Sequence, residues 1–420
     1  MSTSQGRRRV VVTGVGIVSC LGHDLDAVEE SLREQRSGIR QMAEWQELGL
    51  SSHLSGDFEI EERVERSAVP ERRLDTMGRT AMYAVLAAED AIASAGLSAA
   101  ELGAVDCACL VSSGVGALHG VHDGAVQVYG GKARRVRPFA ILQAMASSAN
   151  AHVTQTFGIG GRSYSLASAC ATSTHSVGHG LELIRGGSAT RALVGGSEDV
   201  EVITAGAFAA LRGALSTGYN DRPAEASRPF DEERDGFVLS RGGAVLVLEE
   251  LEAARERGAE VLGEILGFGA NSDPHDIVQT EPSGARAAQC MEMALTDAAL
   301  DPSAVDYVNA HATSTPVGDG AEISALRKVF GSALPALSST KALNGHSLGA
   351  AGAQELIHCL AMQRGDFLAA ATNLKNVAEE HRDVPFVREV KDGGPDVVLS
   401  NSFGFGGTNG TLLLGSPARI

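Results

Sequence analysis

Short apolar, β-branched runs alternate with longer alanine-rich stretches along the whole chain, and this alternation limits the folds open to it. Strands are expected at 9–13 (RVVVT), 107–112 (CACLVS), 191–195 (RALVG), 243–249 (GAVLVLE), 305–310 (VDYVNA) and 396–400 (DVVLS). Helices are expected at 77–95, 140–156, 171–185, 284–299, 319–330 and 350–363. Apolar strands separated by helices describe an α/β protein whose sheets are covered on both faces. The 420 residues exceed one ordinary core, so two domains or one double unit are expected. The opening run "RRRVVVTGVGIVSC" reads as a first buried strand that ends in a glycine turn at Gly14 and Gly16.

The chain also echoes itself. In its first part a strand ends in "SSGVG" (112–116), the helical "LQAMASSANAH" follows, and a strand then ends in "SACATST" (168–174). In its second part a strand ends in "NAHATST" (309–315), "KALNGHSLGAAGAQELI" follows, and a strand then ends in "SNSFGFGGTNG" (400–410). Two related halves, residues 1–260 and 261–420, would give this order, and so would chance similarity among Gly/Ala-rich segments. No long Pro- or Ser-rich linker separates the halves, so they are expected to pack as one body.

Charge and cysteine usage narrow the partners. A formal charge of −17 repels phosphate backbones, which argues against nucleic acid. Six cysteines without zinc-type spacing read as free thiols in a reducing cytosol, so a cytoplasmic protein is expected. No stretch is long and apolar enough to suggest a membrane span.

"GHSLG" (345–349) matches the G-x-S-x-G elbow of serine hydrolases. That elbow needs a strand running directly into its first glycine, whereas here "TKALN" intervenes after the strand expected at 335–339. A thioester hydrolase acting through Ser347 is therefore the weaker of two readings. Cys170 is the better nucleophile, because small residues in "SACATST" place it where a strand gives way to a helix. The positive end of that helix should lower its pKa, and free backbone N–H groups there can bind an oxyanion. His311 and His346 lie in similar small-residue turns, and Lys341 and Glu322 lie close to them in sequence.

Taken in order, "RRVVVTGVGIVSCLG", "SACATS", "ALSTGYNDRPAEASRPFDEERDGFV", "HATSTPVGD", "TKALNGHSLGAAG" and "SNSFGFGGTNG" resemble the β-ketoacyl-[acyl carrier protein] synthases, closest to the synthase I class. The resemblance covers essentially the whole chain. It implies an acyltransferase with the thiolase fold, in which two related α/β halves form a five-layered αβαβα body. It also implies a dimer, either of identical subunits or with a related one. Carried over residue by residue, Cys170 matches the acyl-accepting nucleophile, and His311 and His346 match the two histidines of the condensing triad. Lys341 and Glu322 match the charged residues behind them, with Glu322 expected to hold Lys341. Thr313 and Thr315 match threonines that bond the phosphopantetheine arm, and the N–H groups of Cys170 and Phe405 match the oxyanion hole. Phe403 matches a gating phenylalanine. Asn309, Glu355 and Ser400 match a site where a monovalent cation is sometimes held. No cofactor is required, since phosphopantetheine arrives on the acyl carrier protein.

Three details are particular to this chain. Ala312 stands where the family usually has glycine, which could shift His311. Val115 stands at a dimer-interface position at the end of the acyl pocket and is expected to shorten or bend it. Arg72, Arg73, Lys132, Arg134, Arg135 and Arg137 form a basic patch suited to an acidic carrier protein. A non-catalytic partner that only sets chain length is a further alternative, although such partners lack the nucleophile that this chain keeps.

Overall fold

The computed structural model describes residues 7–420. Its principal strands are β1 (Val10–Val18), β2 (Cys107–Ser112), β3 (Arg191–Glu198), β4 (Gly242–Glu250), β5 (Gly263–Ser272), β6 (Tyr307–Asn309), β7 (Ala336–Ser338), β8 (Val397–Gly404) and β9 (Thr408–Gly415). Its principal helices are α1 (Arg79–Ala95), α2 (Ser148–Phe157), α3 (Thr172–Arg185), α4 (Ala285–Ala298), α5 (Pro316–Phe330) and α6 (Ala351–Gly365).

The strands form one sheet in the order β7-β6-β8-β9-β5-β1-β4-β3-β2. Its two parts are joined where Val11 and Val12 of β1 pair with Glu264 and Gly263 of β5. On either side of that joint the directions repeat. The strand β1 is antiparallel to β4, β4 is antiparallel to β3, and β3 is parallel to β2. Likewise β5 is antiparallel to β9, β9 is antiparallel to β8, and β8 is parallel to β6. The parallel β6–β7 pair has its counterpart at β2, where Cys109 bridges Ser163 in parallel. The echo therefore reflects two halves with one topology, but its register differs from the one expected. "SACATST" follows the edge segment equivalent to β7, so its counterpart is the "NGHSLGAAG" turn. "SNSFGFGG" lies on β8, the counterpart of β3. Similar glycine content at both places had hidden the offset.

Helices complete five layers. α1 and α2 cover the outer face of the first sheet, and α4 with α5 covers the outer face of the second. Between the sheets lie α3 and α6, packed on each other and on strands of both halves. Their sequences fit that place. Every residue of α6 from Ala351 to Met362 is buried, as a helix enclosed on all sides must be.

Two expected elements are corrected. β1 does not end at a glycine turn but continues through Gly14 and Gly16 to Val18. The glycines let α1 lie directly on the strand: a Cβ at Gly16 would stand 2.0 Å from the carbonyl oxygen of Ala87. The helix expected over 140–156 is broken into Ala140–Ala144 and α2, because Met145 takes an extended conformation. The break carries residues 144–146 closely over Gly116. No helix among the described residues is long and apolar enough to cross a membrane.

Candidate active site

Three turns and the β8–β9 hairpin converge on one cavity of about 330 Å3, lined by Cys170, His311, His346, Thr313, Thr315, Phe403 and Phe405 among others. Cys170, the two histidines, the two threonines and the two phenylalanines thus meet at one place, although they come from both halves of the chain, whereas Lys341 and Glu322 do not line the cavity.

The nucleophile turn is held under strain. Ala169 has φ +47°, in the left-handed region, which costs an alanine about 1–2 kcal/mol. The Thr172 hydroxyl secures the turn by accepting from Ser168 N–H at 2.9 Å and donating to the Ala169 carbonyl at 2.8 Å. A 3-10 turn, Ala169–Ala171, then delivers Cys170 to the start of α3. Thr408 donates to the Ser168 carbonyl at 2.9 Å, which ties the β8–β9 hairpin to this turn. Gly404 lies so close that a Cβ there would stand 3.1 Å from the Cys170 nitrogen.

The thiol differs from expectation. Burial pushes it up to about 11, opposed by the Phe405 N–H and by the positive charge of Lys341. Burial therefore favours the neutral thiol over the thiolate expected at the helix terminus.

The two histidines arrive on clamped turns. His311 follows β6, and Glu322 on α5 accepts from its N–H at 2.9 Å and from Ala312 N–H at 2.8 Å. Asn401 donates to the same carboxylate at 2.9 Å. Ala312 is itself buried, so its methyl is absorbed by the core without breaking these bonds. The following Ser314 has φ +73° and is anchored by its N–H to Asp319 at 3.1 Å. His346 donates its N–H to the Val238 carbonyl at 2.7 Å and accepts at its own carbonyl from Ser240 at 3.0 Å. Ser347 is fully buried and donates to Gln354 at 2.8 Å, away from the cavity, so the G-x-S-x-G match has no nucleophile.

The imidazole rings stand edge to face, with centroids 5.3 Å apart and planes at 86°. Phe403 packs against His311 and Phe237 against His346, at 5.8 and 5.7 Å. Burial, reinforced by Lys341, holds both histidines well below the usual imidazole range. Both are therefore neutral, each with one N–H donor and one basic nitrogen. Among the described residues, neither ring nitrogen of His346 has a hydrogen-bond partner, and nor does Nδ1 of His311.

The charged residues behind the histidines pair differently from expectation. Lys341 is fully buried and bonds Glu355, not Glu322. Glu322 is already saturated by the His311 turn and Asn401. Glu355, one of the three residues expected at a cation site, is thus paired with Lys341. Asn309 accepts from Thr340 N–H at 3.4 Å, and Ser400 is buried in β8. No group of three or more His, Cys, Asp or Glu among the described residues is arranged to hold a metal ion.

Val115 does not line the cavity. Its N–H donates at 3.2 Å to Glu198, a buried carboxylate that also accepts from Ser113, Gly114, Gly116 and Gly349. Sequence reasoning missed Glu198, whose only signal was its place at the end of a buried strand beside two glycine-rich turns. The basic residues lie on the surface: Lys132, Arg134, Arg135, Arg137 and Arg72 are exposed and Arg73 is half-buried, and none forms an ion pair among the described residues. Gln143 draws their two segments together by donating to the Asp75 carbonyl at 3.0 Å.

Comparison with known proteins agrees with this geometry. Residues 7–254 match the β-ketoacyl synthase N-terminal domain and residues 262–375 match its C-terminal domain. The 3-oxoacyl-[acyl-carrier-protein] synthase 1 of Haemophilus influenzae is 42% identical over 410 residues, covering 97% of this chain and 98% of that protein. A β-ketoacyl synthase structure from Burkholderia phymatum superposes with a TM-score of 0.90 at 35% identity, over 97% of this chain and 99% of that one. A type II PKS ketosynthase, solved in complex with its acyl-carrier protein and bound to the hexaketide, superposes at 0.88 with 26% identity, over 98% of this chain and all of that one. A neutral buried thiol, two neutral histidines and a doubled α/β body thus occur together in a sequence matched along almost its whole length, and the chain belongs to the β-ketoacyl synthase family.

Proposed function

We propose that this chain is a β-ketoacyl-[acyl carrier protein] synthase in which Cys170, His311 and His346 carry the reaction. The observation that carries this reading is the pair of neutral histidines facing one cavity with a buried cysteine. First, the Cys170 sulfur attacks an acyl thioester, and the acyl group passes to it while its proton leaves with the carrier's phosphopantetheine thiol. Second, a malonyl thioester breaks its bond to the carboxylate, carbon dioxide departs, and the electron pair moves onto the thioester oxygen. Neutral His311 and His346 donate to that oxygen from buried positions on the cavity wall. Third, the new carbanion attacks the acyl-Cys170 carbonyl, whose oxyanion rests on the N–H groups of Cys170 and Phe405. The carbon–sulfur bond breaks, the Cys170 sulfur takes up one proton, and a 3-ketoacyl thioester leaves. The hydroxyls of Thr313 and Thr315, 3.3 Å apart on the cavity wall, suit the polar phosphopantetheine arm, and Phe403 beside His311 suits a gate. No resident cofactor enters this scheme.

The partner is an acyl carrier protein, named also in the relatives' own activity. Support comes from six unpaired basic side chains on a chain of net charge −17. A second subunit, identical or related, is supported by the open sheet edge at residues 162–164, bonded to Cys109 on one side only. Exposed Val126, Tyr129 and Ile141 lie in the segment that follows β2. Intact-protein mass spectrometry with acyl-loaded carrier tests the proposal. The expected result is one acyl adduct on Cys170, discharged by malonyl carrier to a 3-ketoacyl product; no adduct at any chain length overturns it.

A further inference from the structure

Ser168, which opens the nucleophile turn, is held at each of its polar groups. Its N–H donates to Thr172 and its carbonyl accepts from Thr408. Its hydroxyl lies 2.6 Å from Nδ1 of His175. The other ring nitrogen of His175, Nε2, lies 3.1 Å from the Asn409 carbonyl of β9. A carbonyl only accepts, so Nε2 carries a proton. Burial, opposed by the Asn409 carbonyl, favours the neutral ring, in which Nδ1 accepts from the Ser168 hydroxyl. Phe268 of β5 stands against the same ring, with centroids 5.9 Å apart and planes at 81°. His175 thus touches the Cys170 turn on one side and the second half of the molecule on the other. The second half holds its own serine by a similar bond. Ser347 also bonds a side chain seven residues on, Gln354, and His175 and Gln354 are each the fourth residue of α3 and α6. Nε2 of Gln354, however, has no hydrogen-bond partner among the described residues. The bond to the serine is therefore common to both halves, and the second bond, across to the opposite half, belongs to His175.

We propose that His175 is a positioning residue that sets the spacing of the oxyanion hole, fixing the Cys170 turn through Ser168 and the β8–β9 hairpin through Asn409. This rests on the reading of the Cys170 and Phe405 N–H groups as donors to the acyl oxyanion. Cys170 lies two residues after Ser168, and Phe405 lies four residues before Asn409, so the two donors sit on elements from different halves. Such donors act together only when one oxygen lies within hydrogen-bond reach of both, which requires the two elements to keep a set separation. The neutral ring meets that need with one acceptor and one donor at different edges. His175 does not line the reacting cavity, so it acts through these neighbours and not on the substrate.

The test compares the full-length protein with His175→Leu, His175→Gln and Ser168→Ala. Leucine and glutamine have similar size, but only glutamine offers an acceptor and a donor. Acyl loading of Cys170 is followed over a range of acyl carrier concentrations, and alkylation of Cys170 by iodoacetamide is read in parallel. Acyl transfer needs the sulfur and both N–H donors, whereas alkylation needs the sulfur alone. For His175→Leu the maximal loading rate should fall at least about tenfold, while the carrier concentration at half-maximal rate and the alkylation rate stay within about twofold of wild type. His175→Gln should recover loading to within about threefold of wild type, because glutamine holds the equivalent serine from the equivalent helix position. Ser168→Ala cuts one of the two ties and should fall between the leucine and glutamine variants. Wild-type loading in His175→Leu overturns the inference. So does a loss of alkylation as large as the loss of loading, which would mark a disordered turn. Should the leucine variant fail to fold, Ser168→Ala decides the matter, and wild-type loading there also overturns the inference. Wild-type protein that forms no acyl adduct overturns the functional reading itself, and the two failures are thereby distinct.

Discussion

The turn that carries Cys170 and the turn that follows His346 occupy equivalent places in the two halves, and their backbones agree closely. Each follows an edge strand, passes through a serine, and places a non-glycine residue in the left-handed region: Ala169 at φ +47° and Leu348 at φ +49°. Each then makes a three-residue 3-10 turn, Ala169–Ala171 or Leu348–Ala350, and enters a central buried helix. In this alignment Ser347 corresponds to Ser168, and Gly349 to Cys170. One turn presents a sulfur; the other presents only an N–H, which donates to Glu198 at 3.1 Å. The strained turn is thus a shared backbone device, and the chemistry depends on which residue it holds up. In the second half the reactive group has moved back to His346, ahead of the turn.

The sharpest break in the comparison is chemical. Cys170→Ala should abolish acyl loading and condensation, a loss of at least about a thousandfold for a covalent catalyst. Ser347→Ala should leave turnover within about threefold and cost only about 1 kcal/mol for its buried bond to Gln354. Parallel loading assays decide the matter, and loss of activity in the serine variant alone would restore the hydrolase reading. Next in size is Lys341→Ala. It strands Glu355 without its partner in a buried site, so a loss of about 3–5 kcal/mol is expected in denaturant titration. The same variant should shift the alkylation profile of Cys170 to higher pH. Lys341 lowers the thiol's pKa from the burial-raised value, and without that cation the thiolate forms later.

Gly349→Ala probes the half without a nucleophile. A Cβ there would stand 2.6 Å from both Glu198 Oε2 and the Gly114 nitrogen, so one of the two turns must shift. Overpacking of this kind costs about 1–3 kcal/mol. Because Glu198 also bonds the 113–116 turn, the effect should reach acyl loading as well as stability; a variant with wild-type loading would show that the two turns are independent.

Much of this was legible before folding. The alternation of strands and helices and the Cys170, His311 and His346 turns follow from local composition and motif order, whereas the doubled body was implied by the family resemblance and only weakly by the echo. What could not be read depends on distance in sequence. The pairing of Lys341 with Glu355 rather than Glu322 requires knowing that α6 faces Lys341 across a buried space. The raised thiol at Cys170 reflects its burial between the two halves, which short-range helix arguments omit. The correct register of the echo is set by which edge strand each turn leaves, and Gly/Ala-rich segments carry too little pattern to show it. Glu198 escaped notice because its partners are backbone N–H groups from two distant turns. Gly14 and Gly16 looked like turn residues because glycine marks both turns and close packing.

The smallest expected effect bears most directly on what the shared turn is for. Ala169→Gly removes a left-handed alanine that costs about 1–2 kcal/mol, and the freer glycine in the unfolded chain returns about 0.4–1 kcal/mol of that. A net stabilisation of up to about 1 kcal/mol is expected. Leu348→Gly relieves the same backbone but also removes a buried side chain from the apolar cluster around Cys170, so it should be destabilising by about 2–4 kcal/mol. If the strain at Ala169 serves to aim the sulfur, the more stable Ala169→Gly protein should load acyl groups several-fold more slowly while a small alkylating reagent still reaches Cys170 at the wild-type rate. Faster loading in that variant would mean that the strain is only tolerated. The left-handed turn would then be a requirement of packing α3 and α6 between the sheets, inherited by both halves and used for chemistry in only one.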